Sequence, residues 1–418
     1  MPVRVQSFHL RRARSKNLFE NARRRSGRAA KRLDVSGKML ATRFFLWRST
    51  GYAKGLTAAS HVLMSTNGHF AIGVDIGGTK VAAGLVNSAG EMLRTTRKRM
   101  TVDRDAKDGL HAVLLALDEI MEDPRARRAS GIGISVPGWV DSRRGVLFSA
   151  TNIPCWRNYP LAEEIHRRYE LRTQLANDAN VAALAEAVWG AGDKYSNVFY
   201  VTLGTGIGTG IVLDRHLYYG RTGAAGEGGH MTIDYSGRKC GCGKRGCIER
   251  YASGTAIAQR AREGLAQPGG AKSEILKLAK HKIAAVTAEM VGKAALAGDP
   301  LANEVMIEAA GFLAIWLGNI IDLLEPEVIV IGGGVGQVMG SFVGHIRSGL
   351  ATWAINPRAD QIDIRSALYG AESGLVGSAA LCLPRARLWV ASSGGDEPSG
   401  ARKHSRNAEP ARSKAARR

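Results

Sequence analysis

The chain has 418 residues, 45% of them hydrophobic, 23% charged and 6% aromatic, with 51 glycines. This exceeds one ordinary domain, suits two or three, and carries enough apolar residues to exclude wholesale disorder. The net charge of +21 is confined to the ends: residues 1–70 hold 15 Lys and Arg against Glu20 and Asp34, residues 385–418 hold nine against Asp396, Glu397 and Glu409, and the 314 residues between them carry only +2.

Residues 1–67 read as a basic extension, disordered or preceding the true start, in which Arg23-Arg24-Arg25 and short apolar pieces such as Phe44-Phe45-Leu46-Trp47 alternate. Three readings stay open for it: a targeting peptide, a nucleic-acid arm, or a leader ahead of a real start at Met64. It lacks the continuous apolar run and small-residue cleavage site of a secretion signal. No stretch approaches 18 uninterrupted apolar residues, so no membrane partner is expected.

After the extension, Ala71–Asp75, the turn Ile76-Gly-Gly-Thr-Lys80 and Val81–Val86 form a predicted β-hairpin. A helix over Leu110–Met121 follows, then a strand, Gly131–Val136, that ends at Pro137-Gly138. Leu175-Ala176-Asn177-Asp178 closes another strand and opens a helix over Asn180–Trp189. Val198–Val201, the glycine-rich stretch 202–210 and Ile211–Leu213 repeat the hairpin design. Helices over Ala256–Leu265 and Glu304–Leu324 lead to a strand, Val328–Ile331, and the turn Gly332-Gly333-Gly334. The pattern predicts two related α/β halves around a cleft. Residues 68–184, completed by a C-terminal helix at 372–384, would form one half and residues 185–371 the other. Residues 385–418 read as a disordered basic tail.

The two glycine-rich turns suit phosphate. A strand, not a helix, follows Asp75-Ile-Gly-Gly-Thr-Lys80, so an anion there would meet backbone N–H groups, Thr79 and Lys80. Gly77 and Gly78 leave room for close approach, and Asp75 is placed to organise a hydrated Mg²⁺. Gly204-Thr205-Gly206 would grip the phosphates from the other half, with Gly333 and Gly334 beside a base and ribose. Asp178 has two readings, a helix N-cap or a base that accepts a hydroxyl proton, with Asn177 orienting a neighbouring hydroxyl.

Five cysteines make no disulfide framework. Cys155 and Cys382 stand alone, whereas His230, Cys240, Cys242 and Cys247 supply four ligands for a closed, structural Zn²⁺ site in a reducing, cytoplasmic setting. Glu227 and Glu249 flank that cluster, where carboxylates and the second nitrogen of His230 suit sugar hydroxyls.

These motifs, with Val136-Pro-Gly138, Leu203-Gly-Thr-Gly-Ile-Gly208, Gly226-Glu227-Gly-Gly-His230 and Cys240-Gly-Cys-Gly-Lys-Arg-Gly-Cys247-Ile-Glu249, resemble the ROK family (repressors, open reading frames, kinases) of the hexokinase–actin superfamily. The resemblance covers roughly residues 70–384 and is closest to the family's glucokinases around Asn177–Gly192. It implies two actin-like, ribonuclease H-like halves around a nucleotide and sugar cleft, with Asp178 as catalytic base. Gly138, Asn152, Asn177, Glu227, His230 and Glu249 would contact the sugar. The implied activity is ATP-dependent, Mg²⁺-assisted phosphorylation of a hexose 6-hydroxyl, most readily glucose, by a homodimer or homotetramer. An N-acetylglucosamine or N-acetylmannosamine kinase is the alternative within that chemistry, and a sugar-responsive repressor the alternative outside it. One departure is Gly228, where those kinases usually carry Ile; it alters how the Glu227 loop packs.

Overall fold

The computed structural model describes residues 69–100, 105–150 and 152–383. The predicted basic extension and tail lie outside the described residues. Strand β1 (Phe70–Ile76) is buried along nearly its whole length rather than on alternate residues. Its sequence accordingly reads as a continuous apolar run, the signature of a strand covered on both faces. It turns back at Gly77–Thr79 into β2 (Lys80–Asn87), which pairs antiparallel with it, and β3 (Met92–Arg99) adds the edge. The edge strand is Arg- and Thr-rich, which discourages further pairing.

On the other side of β1 lies β4 (Ile132–Val136), parallel to it with Asp75 opposite Ser135. A small antiparallel sheet, β5 (Trp139–Asp141), β6 (Val146–Ser149) and β7 (Arg157–Tyr159), then leads to β8 (Thr173–Asn177), which pairs parallel with β4. The sheet order is β3-β2-β1-β4-β8.

The second sheet repeats this plan. Strands β9 (Val198–Leu203), β10 (Ile207–Leu213), β11 (His216–Leu217), β12 (Val328–Gly332) and β13 (Asp363–Ser366) take the order β11-β10-β9-β12-β13. In each sheet three antiparallel strands meet two parallel ones at a central strand, β1 or β9. The duplication expected from the two hairpins is therefore present in the topology.

The helices are longer at their starts than apolar periodicity indicates. They span Ala106–Met121, Asp178–Val188, Gly254–Leu265 and Pro300–Leu324. Each begins at a polar cap, Asp105, Asn177, Ser253 or Asp299, whose side chain accepts a hydrogen bond from the first turn, and Pro300 fits the first turn without a missing donor. Periodicity marks where a helix meets the core; capping chemistry marks where it begins. Pro300–Leu324, with mean hydropathy 1.6, is long and apolar enough by composition to cross a bilayer. Here Ala309, Leu313, Trp316, Leu317 and Ile320 instead pack into the core beside the second sheet.

The helix Ser373–Ala380 returns to the first sheet and packs against β1, β4 and the helix Asp178–Val188. Ser378 Oγ donates to the Val74 carbonyl at 3.1 Å. Backbone contact this close leaves no space for a Cβ at Gly73, Gly133 or Gly377.

Candidate active site

A cavity of about 510 Å³ opens between the two sheets, lined by Asp75, Asp178, Tyr200, Thr202, Gly333, Gly334, Gln337 and the segment Gly370–Gly374. Asp75 and Thr202 lie next to the last residues of β1 and β9, and Gly333 follows β12. The ligand-facing groups thus gather at the ends of central strands, the usual place for a site in open α/β sheets.

Asp178 is the first residue of its helix, but Asn177 is the cap. Asn177 Oδ1 accepts from the Ala179 N–H at 2.9 Å, and its amide donates to the Gly138 carbonyl at 3.0 Å. One Asp178 oxygen also accepts from the Ala179 N–H, at 2.8 Å. Asn177 and Asp178 thus share the first-turn N–H of Ala179, and the Asp178 carboxylate also borders the cavity. Asp178 is open to solvent in the cavity yet crowded by its walls, and that desolvation pushes its pKa up to about 6; the charges of Asp75 and Glu227 add to the rise. Burial also raises the pKa of Asp75, with Ser135 and Lys80 opposing it.

The first turn is closed by the Gly77 N–H donating to the Lys80 carbonyl at 2.9 Å. A Cβ on Gly78 would come within 2.7 Å of the Asn152 carbonyl, so this turn rests on the Asn152 loop. Thr79 and Lys80 are exposed. The second turn is fixed to the start of the helix Gly254–Leu265: the Gly254 N–H reaches the Gly204 carbonyl at 2.8 Å, and Thr255 Oγ1 donates to the Thr205 carbonyl at 2.8 Å. Glu249 braces the same turn by accepting from the Ile207 N–H at 3.0 Å, and its approach needs Gly206 to lack a side chain. Gly77 to Lys80 and Gly204 to Gly206 are not among the residues lining the cavity, whereas Asp75, Asp178, Gly333 and Gly334 are.

Glu227 sits on a loop held by Thr209. The buried Thr209 hydroxyl donates to the Gly226 carbonyl and accepts from the Gly228 N–H at 3.0 Å, straddling Glu227 on both sides. Gly228 now has a physical reason. A Cβ there would lie 2.8 Å from Thr209 Oγ1 and 3.3 Å from Trp316 Cζ2, so the room an Ile would need is already filled.

His230, Cys240, Cys242 and Cys247 offer ligand atoms that all lie within 4.8 Å of one another. Cys242 and Cys247 sulfurs are 3.7 Å apart, and Cys240 Sγ is 3.6 Å from His230 Nδ1. A tetrahedral zinc with Zn–S near 2.3 Å and Zn–N near 2.0 Å calls for separations of about 3.5–3.8 Å. The donor set and its spacing fit that ion. Glu249 Oε1 stands 4.0 Å from Cys240 Sγ, which ties the cluster to the second turn.

Sequence reasoning missed Tyr200, Thr202, Gln337 and the Gly370–Gly374 wall. The small-residue run Gly370-Ala371-Glu372-Ser373-Gly374 was a usable signal for the last of these.

Two α/β sheets of matching topology around such a cavity define an actin-like ATPase fold with a cysteine-rich loop. Residues 71–385 match the ROK family, and the chain belongs to it. The glucokinase of Halalkalibacterium halodurans is 35% identical over 313 residues, 73% of this chain and 92% of its own length. The structure of a ROK family glucokinase from Streptomyces griseus in complex with glucose and AMPPNP superposes with a TM-score of 0.65 at 33% identity, covering 75% of this chain and 99% of that one. An N-acetylmannosamine kinase of Yersinia pestis is 32% identical, covering 74% of this chain and 96% of its own. A xylose repressor of Caldicellulosiruptor bescii is 30% identical, covering 68% and 70%.

Proposed function

We propose that this chain is an ATP-dependent hexose kinase that phosphorylates the 6-hydroxyl of glucose. The observation that carries this reading is Asp178, a carboxylate bordering the cavity at a helix start that Asn177 also caps, with its pKa raised to about 6. The resemblance to glucokinases supports the choice of sugar.

In this reading the cavity holds the nucleotide, with Gly333 and Gly334 near its base and ribose. Asp75 would hold Mg²⁺, whose charge helps neutralise the phosphates. The turns at 77–80 and 204–206 would meet the phosphate chain as the halves 68–184, with the helix that follows 372, and 185–371 close on substrate. Gly138, Asn152, Asn177, Glu227, His230 and Glu249 would orient the sugar, with His230 offering Nε2 because Nδ1 faces Cys240. Asp178 would take the proton of the 6-hydroxyl as the hydroxyl oxygen attacks the γ-phosphorus in line and the bond from that phosphorus to the β,γ-bridging oxygen breaks, releasing ADP. Positioning and charge neutralisation supply most of the acceleration.

The test is a hexose panel assayed by ADP release with ATP and with polyphosphate as donors. Glucose and ATP should give the highest kcat/KM. A preference for N-acetylmannosamine, in line with the Yersinia relative, would transfer the same chemistry to that sugar. No turnover with any sugar, together with sugar-released DNA binding, would put the repressor reading first.

The pH profile follows from Asp178. Only the unprotonated carboxylate accepts a proton, so kcat/KM should climb as pH rises through about 6 and level off above it. An inflection near the ordinary Asp value of about 4 would mean that no carboxylate raised by burial in the cavity serves as the base.

A further inference from the structure

Glu186 lies two turns beyond Asp178 on the same helix, fully buried. Its carboxylate reaches into two separate loops. Oε2 accepts from the Ala191 N–H at 2.9 Å and from the Leu368 N–H at 3.0 Å, while Oε1 accepts from the Tyr369 N–H at 2.8 Å. Gly190 packs so closely on this carboxylate that a Cβ there would lie 2.8 Å from Glu186 Cδ. Hydrogen bonds from backbone N–H groups to a carboxylate are about twice as strong as neutral ones, and in a water-free setting they fix geometry.

What these bonds hold is one wall of the cavity. Leu368 and Tyr369 run directly into Gly370, Ala371, Ser373 and Gly374, which line it opposite Thr202 and Gly333. At the end of this segment a Cβ on Gly374 would stand 2.6 Å from Asp75 Cγ, so a small displacement of the wall is felt at Asp75. The negative charge of Glu186 is also felt by the cavity residue Tyr200, whose pKa is pushed up to about 12 by burial first and by Glu186 second.

We propose that Glu186 is a positioning residue for the phosphoryl donor: through Leu368 and Tyr369 it fixes the Gly370–Gly374 wall relative to the helix that presents Asp178. This rests on the reading that the cavity is the nucleotide site. It predicts a selective defect, because among the described residues the hydrogen bonds of Asn177, the Glu227 loop and His230 involve neither Glu186 nor the backbone groups it latches.

The test is MgADP binding by calorimetry and glucose binding by intrinsic fluorescence, on full-length wild type, Glu186→Gln and Gly190→Ala. Gln keeps the volume but replaces one acceptor oxygen with a donor; Ala at 190 pushes on the latch from outside. Both variants should weaken MgADP by about tenfold or more while glucose affinity stays within about twofold. Leu317→Ala, a core truncation beside the second sheet, serves as a stability control and should lower Tm without that split. Equal MgADP affinity in wild type and both variants would overturn the proposal, as would the same split in Leu317→Ala. A wild type that binds no MgADP at all would instead overturn the donor reading of the cavity.

Discussion

Asp178→Asn should fold, bind glucose and MgADP normally, and lose roughly 10²–10⁴ of kcat. The reasoning is local. Asn177 caps the helix and also bonds Gly138, so removing charge from Asp178 leaves the helix start and the β4–β5 loop in place. The Asn side chain still accepts from the Ala179 N–H. What disappears is the group able to take a proton, and with it the inflection near pH 6. Near-normal turnover in this variant would return Asp178 to an ornament of the helix start.

The second large effect concerns the cysteine loop. Purified protein should carry about one zinc per chain, because four protein ligands close the coordination sphere. Cys242→Ser is the informative change, since Cys242 is exposed and its loss removes a ligand without emptying a buried pocket. Losing about 3 kcal/mol of metal-linked stability should lower Tm by roughly 10 °C at this domain size. Sugar affinity should fall with it, because Cys240 neighbours Glu249 and Lys244 Nζ donates to the His230 carbonyl at 2.6 Å. A metal-free preparation with full activity and unchanged Tm would remove zinc from the account.

Features set by neighbours in sequence were legible. Both hairpins have apolar runs on either side of a glycine turn, and the cysteine loop has its ligands within eighteen residues, so their spacing carries the information. The fold class followed from their repetition. The cavity wall was legible only as a run of small residues, because Gly374 gains its role only where it meets Asp75, some three hundred positions earlier. Glu186 reads in sequence as an ordinary helical Glu; its partners are Leu368 and Tyr369, and only the folded chain brings them near. Thr209 sits inside a run of glycines and β-branched residues, where nothing distinguishes a clamp from a strand residue. Gly228 stood out as a departure, yet its causes, Thr209 in β10 and Trp316 in a helix almost ninety residues on, meet it only in the folded chain.

The return of the helix Ser373–Ala380 to the first sheet has a consequence for biosynthesis. Strand β1 is made long before its cover: its face near Val74 packs on the helix Ser373–Ala380, in which Ser378 lies 304 residues later. At about 5–20 residues per second, the ribosome needs roughly 15–60 s to deliver that cover. Through that interval the apolar face of β1 and β4 is a standing invitation to chaperones, and Asp75 lacks the neighbouring cavity wall formed by Gly370–Gly374. A stalled or C-terminally shortened chain would therefore arrive with its cysteine loop and both hairpins made, but with the cavity beside Asp75 open on one side.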